Sequence, residues 1–218
     1  MAGQVRVNGQ VARKASQEVT DEDKLDLEAA EKFVSRGGHK LQGALDHFKI
    51  KVEGRTCLDI GSSTGGFTDC LLQAGAKKVY CVDVGDNQLD WKLRSDPRVN
   101  CREGINARYL HAEDFPEKMD LVTIDVSFIS LEKILPSAME VLSKCGEIVA
   151  LIKPQFEAGR EQVGKGGVVR NVDIHSQVVE RVKLFAENEL KLAWIGVIES
   201  PLKGPAGNKE FLAYLKPL

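Results

Sequence analysis

The sequence has no apolar run long enough to cross a bilayer and no secretory leader pattern at its start, so neither a membrane-spanning nor an exported protein is expected. It also lacks a strongly amphipathic or apolar insertion segment, which counts against a lytic protein. Its five cysteines, Cys57, Cys70, Cys81, Cys101 and Cys145, are an odd set without a C-x-x-C. No histidine pair stands at zinc spacing, so no metal is expected. Several of the thiols lie in strand-like apolar runs, where a thiol behaves as a small hydrophobe. Reduced core cysteines in a cytoplasmic protein follow. A general basic excess is missing too: the formal net charge is −2. That excludes a chain coated in lysine and arginine but leaves room for a local basic patch. Internal repeats and low-complexity stretches are absent.

What is present is enough for one α/β domain and a small appendage: 218 residues, 43% hydrophobic and 28% charged. Residues Val5 to Val11 alternate apolar and polar around Asn8-Gly9, the signature of a tight hairpin. A brief Lys24–Leu27 strand follows. From Lys40 to Phe48 the apolar positions suit a helix with one buried face. Strand and helix then alternate. Strands are expected at Thr56–Ile60, Lys78–Val84, Val99–Glu103, Asp120–Asp125, Glu147–Ile152, Ala193–Glu199 and Glu210–Leu215. Helices are expected near Phe67–Gln73, Asn87–Arg94, Leu131–Leu142 and Ile174–Glu189. Wholly apolar strands joined by helices predict a doubly wound, mostly parallel sheet. Only Ser200 to Asn208 separates the last two strands, too little for a helical crossover, so the last strand is predicted to be antiparallel.

The stretch Cys57-Leu-Asp-Ile-Gly-Ser-Ser-Thr-Gly-Gly-Phe-Thr68 runs from strand through a small-residue turn into a helix. Gly61, Gly65 and Gly66 allow close approach of a nucleotide-like ligand at the edge of the sheet. Asp83, at the end of the second central strand, suits the two hydroxyls of a ribose. The glycine pattern is D-x-G-x-x-x-G-G, not the G-x-G-x-x-G that lets a pyrophosphate come close. A sulfonium nucleoside has no phosphate, and Asp59 near the turn could attract its cationic end; S-adenosylmethionine is therefore favoured over NAD. Two further strands end on charged residues, Asp125 and Lys153, at the same predicted edge. Glu210 opens the antiparallel strand at that edge, so these three and Lys40 can converge on one crevice.

Five segments in order then resemble the TlyA family: Ser35-Arg-Gly-Gly-His-Lys-Leu41, Asp59-Ile-Gly-Ser-Ser-Thr-Gly-Gly-Phe67, Asp125-Val-Ser-Phe-Ile-Ser130, Ile152-Lys-Pro-Gln-Phe-Glu157 and Gly207-Asn-Lys-Glu-Phe211. These haemolysin-named proteins carry an FtsJ-like ribosomal RNA 2′-O-methyltransferase domain. The resemblance implies a Rossmann-like class I methyltransferase fold over residues 31–218. It implies a catalytic K-D-K-E tetrad at Lys40, Asp125, Lys153 and Glu210. It further implies S-adenosylmethionine held by Asp59, Gly61, Ser63, Gly65, Gly66 and Asp83, with Asn106 in the adenine region. Ribosomal RNA or ribosomal subunits would be the partner. Residues 1–30 resemble the β-hairpin half of the S-four type of RNA-binding domain, with the helical half missing.

The expected reaction is transfer of a methyl group to a ribose 2′-hydroxyl, with Lys153 as the base. A hydroxyl is a weak nucleophile and needs proton removal or strong polarisation. Arg36, His39, Arg160, Lys165 and Arg170 are loop cations that could meet phosphates. Gly164-Lys-Gly-Gly167 lacks full Walker spacing. The rival enzyme reading is an amino-group methyltransferase: Asp125-Val-Ser-Phe128 has the spacing of D-P-P-F without its prolines. The other rivals are a lytic haemolysin and a non-catalytic RNA-binding protein.

Overall fold

The computed structural model describes residues 5–12, 14, 16–27 and 31–218. The chain divides into two compact units, 1–32 and 33–218. The first holds an antiparallel sheet of order β2-β1-β3, formed by β1 (Val5–Val7), β2 (Gln10–Val11) and β3 (Leu25–Leu27). Asn8 and Gly9 both take positive φ, 52° and 80°, as the primed hairpin turn requires. The Asn8 side chain then fastens the turn to the next strand. Its Oδ1 accepts from Lys24 N at 2.9 Å and its Nδ2 donates to Asp23 Oδ1 at 2.6 Å. The module expected over 1–30 also includes positions 1–4, 13, 15 and 28–30, which lie outside the described residues.

The second unit opens with α1 (Gly37–Phe48), β4 (Thr56–Ile60), α2 (Gly66–Gln73), β5 (Lys78–Val82) and α3 (Trp91–Arg94). It continues through β6 (Val99–Arg102), β7 (Met119–Ile124), α4 (Leu135–Val141) and β8 (Leu142–Ile152). It closes with α5 (Pro154–Glu157), α6 (Val172–Asn188), β9 (Leu192–Glu199) and β10 (Phe211–Pro217). Seven strands form one sheet of order β6-β5-β4-β7-β8-β10-β9, and β10 runs against both neighbours. The short 200–208 link leaves no other choice, because a parallel return needs a crossover of a dozen or more residues.

The strand side chains alternate between two apolar layers. Leu58, Ile60, Val122 and Ile124 pack with Ala138 of α4 and Val178 and Val182 of α6. Cys57, Val79, Leu121 and Leu151 pack with Leu41 and Leu45 of α1 and Leu71 of α2. Two expected helices are shorter than the pattern suggested. Asn87, at φ 54°, lies in a loop, and helix begins only at Trp91 behind the Asp90 cap, whose side chain accepts from Lys92 N at 2.8 Å. The stretch from Leu131 splits into a 3-10 turn, Leu131–Lys133, and α4, with Pro136 in the first turn of the latter.

Candidate functional site

At the C-terminal ends of the parallel strands, β4 runs into a turn that only glycine can make. Gly61 has φ +83°, and a Cβ placed on it would stand 2.4 Å from the Asp125 carbonyl oxygen. The ends of β4 and β7 therefore touch backbone to backbone. Ser63, also at positive φ, donates its N–H to Asp83 Oδ2 at 2.8 Å, and Gly85 N–H reaches Asp83 Oδ1 at 2.8 Å. Each Asp83 oxygen thus takes one N–H and keeps acceptor capacity for a hydroxyl. Gly61, Ser63, Asp83 and Asn106 border one cavity of about 470 Å³, with Val82 and Ile105 supplying apolar wall.

Three residues expected at that cavity stand elsewhere. Asp59 is fully buried, and its carboxylate accepts from Thr68 Oγ1 at 2.7 Å and Thr123 Oγ1 at 3.2 Å. The reason is strand alternation: Asp59 shares the face of Cys57 and points under α2, so it does not border either cavity. Burial pushes its carboxyl up to about 7, with the Asp125 charge adding to the shift and the Thr68 hydrogen bond opposing it. Gly65 caps α2 with its Cα packed against Leu89 and Leu93, and it too is outside both linings. Gly66 borders the second cavity instead.

That second cavity, about 530 Å³, is bordered by Lys40, Asp125, Lys153 and Glu210, four residues from α1, β7, β8 and β10 or their ends. Lys40 Nζ donates to Glu210 Oε2 at 2.6 Å, with both groups buried. Lys153 Nζ lies 2.6 Å from Asp125 Oδ1, a contact of opposite charges outside hydrogen-bond alignment. Its aligned hydrogen bond goes to Ser127 Oγ at 2.9 Å. Glu210 is backed by Gly204, where a Cβ would stand 2.4 Å from Oε1. Gly61, Ser63, Asp125 and Ser127 border both cavities, so the two communicate at that point.

Of the loop cations, Arg36 borders the second cavity, together with Lys203, while Arg160, Lys165 and Arg170 are exposed outside it. His39 rests edge-on against Phe33, ring centroids 5.0 Å apart. Ser127 and Lys203 were not singled out from sequence, although both sit inside stretches that were. A serine or an isolated lysine in a loop carries no spacing signal of its own.

The FtsJ-like methyltransferase family model matches residues 33–216. The chain belongs to the FtsJ-like methyltransferase family. The 16S/23S rRNA (cytidine-2′-O)-methyltransferase TlyA of Mycobacterium tuberculosis is 47% identical over 219 residues, covering 99% of this chain and 81% of that protein. Hemolysin A of Brachyspira hyodysenteriae is 44% identical over 215 residues, covering 98% of this chain and 89% of that one. A crystal structure of a protein named as a hemolysin, from Lactococcus lactis, superposes with a TM-score of 0.82 at 54% identity, covering 84% of this FtsJ-like chain and 88% of its own.

Proposed function

We propose that this chain methylates a ribose 2′-hydroxyl of ribosomal RNA, free or within a subunit, with S-adenosylmethionine as methyl donor. The observation that carries the reading is the meeting of two lysine–carboxylate pairs in a cavity that adjoins the Gly61–Asp83 cavity. The donor set of the latter fits an adenosyl group. Asp83 has acceptor capacity for a ribose diol, and Asn106 and the Ile105 wall suit a base. When bound, S-adenosylmethionine supplies an electrophilic methyl group on a sulfonium.

The protein's part is proton handling and orientation. Lys153 takes the proton of the attacking hydroxyl, and Asp125 stabilises the ammonium that results. The buried Lys40–Glu210 pair holds another part of the same cavity's lining. Nothing in this scheme calls for an amino-group acceptor, which has no use for a proton-accepting lysine. Among the described residues no helix is long and apolar enough to cross a membrane. Residues 1–30 are read as the hairpin half of an S-four-type RNA-binding domain beside a catalytic domain at 31–218, working in the cytoplasm where ribosomal RNA is found.

The test is labelled methyl transfer to 16S and 23S ribosomal RNA and to ribosomal subunits, followed by alkaline hydrolysis. A ribose-methylated site resists cleavage, whereas a base-methylated one is still cut. Lys153→Ala should lose about 10²- to 10⁴-fold in kcat, the contribution of a positioned base, while S-adenosylmethionine still binds in calorimetry. A fully active Lys153→Ala protein would remove Lys153 from this role.

A further inference from the structure

We propose that Ser127 is the positioning residue for the proton-accepting lysine: its hydroxyl fixes the rotation of Lys153 Nζ and so aims the nitrogen lone pair at the substrate. This inference rests on the reading of Lys153 as the base. An uncharged amine has two N–H bonds and one lone pair, and a lysine head on its four-carbon stem turns freely unless it is held. A single ionic contact, such as that to Asp125 Oδ1 at 2.6 Å, holds the nitrogen in place but not its rotation. The second contact, to Ser127 Oγ at 2.9 Å, removes that freedom. The one aligned N–H goes to Ser127 Oγ, and the negative Asp125 oxygen repels a lone pair from its own side, so one direction is left for the lone pair.

The surroundings agree with this assignment. Ser127 borders both cavities, together with Gly61, Ser63 and Asp125, so the held lysine stands where the two spaces join. The residue that follows Ser127, Phe128, takes φ +63°, a conformation that bulky residues avoid, although it is 90% exposed. A residue gains little from its own burial there. Asp125 and Ser127, two positions apart, contact the same amine. Backbone strain of this kind persists where the surroundings over-determine it, and it clusters at sites of function.

The experiment uses the whole chain, S-adenosylmethionine, and transcribed 16S and 23S ribosomal RNA, with Ser127→Ala, Ser127→Thr and Lys153→Ala compared under one set of conditions. Ser127→Ala should lower kcat by about 10- to 100-fold, part of what a general base contributes, with KM for RNA, the Kd for S-adenosylmethionine and the Tm unchanged. Ser127→Thr keeps the accepting oxygen and should recover most of the rate. The proposal is overturned if Ser127→Ala keeps the wild-type kcat, if cofactor affinity or Tm falls in step with the rate, or if Ser127→Thr folds and is as slow as Ser127→Ala. A fully active Lys153→Ala protein would sink the base assignment itself. An inactive Lys153→Ala beside a fully active Ser127→Ala would sink only the positioning role.

Discussion

Lys40 and Glu210 stand 170 positions apart in the chain and 2.6 Å apart in the fold. Both side chains are buried, at 10% and 1% exposure, so neither charge has water to fall back on. Removing one partner strands the other, because the desolvation of the survivor is no longer offset. Lys40→Met should therefore destabilise the protein by about 3–5 kcal/mol, whereas Lys40→Met combined with Glu210→Leu should recover most of that loss. Urea unfolding of the two variants measures the difference. Methyl transfer should be absent from both, which separates the fold's need for a matched pair from the reaction's need for the charges. If the double variant is no more stable than the single one, the pair is not a matched unit.

At the scale of elements, β4, α2 and β7 meet at Asp59. Its carboxyl is pushed up to about 7 by burial first, with Thr68 and Thr123 donating to it and the Asp125 charge working against ionisation. The unfolded chain gives up that proton near 3.9, so between about 4 and 7 the folded state holds a proton that the unfolded state does not. Stability is then full below that window and falls as pH rises through it. The loss at pH 8 is roughly 4 kcal/mol at most. Asp59→Asn should abolish this dependence: wild type is less stable at pH 8 than at pH 5, and the variant loses less over the same interval. Urea denaturation at the two pH values decides it. A wild-type curve that is flat or rises over this range would show that Asp59 is not the group in control.

For the whole molecule, the five thiols report on how completely the sheet is covered. Cys57, Cys70 and Cys81 are buried, Cys101 is half-buried and Cys145 is exposed. Burial pushes the Cys57 thiol up to about 12, so it is both shielded and un-ionised. Alkylation of the native protein should mark Cys145 first and leave Cys57, Cys70 and Cys81 untouched until denaturant is added, as peptide mass spectrometry would show. The expectation of core thiols thus holds for three of them. Cys145 departs from it because β8 begins before the buried stretch Gly146–Ile152, and Lys144 and Cys145 ahead of that stretch are exposed.

Much of this arrangement is legible in the chain itself, for physical reasons that act locally. Asn8-Gly9 dictates a primed turn, the Cys57–Thr68 stretch dictates strand, glycine turn and helix, and the nine residues from Ser200 to Asn208 are too few for a crossover. Those facts determine the order of elements and the reversed last strand. Hence Asp83, Asp125, Lys153 and Glu210 all come to one edge. Alternation along β4 is equally visible, but not which of its faces lies under α2; that was decided by packing, and it put Asp59 beneath α2 rather than at the cavity beside Gly61. Pairing was decided at the same level. Four charged residues at one edge can pair in more than one way, and only their distances couple Lys40 to Glu210 and Lys153 to Asp125. The hydroxyl of Ser127 had no pattern to announce it, since its role depends on Lys153, 26 positions away, coming within 2.9 Å. Local chemistry determined which residues reach the site; the close packing of distant segments determined what each of them touches.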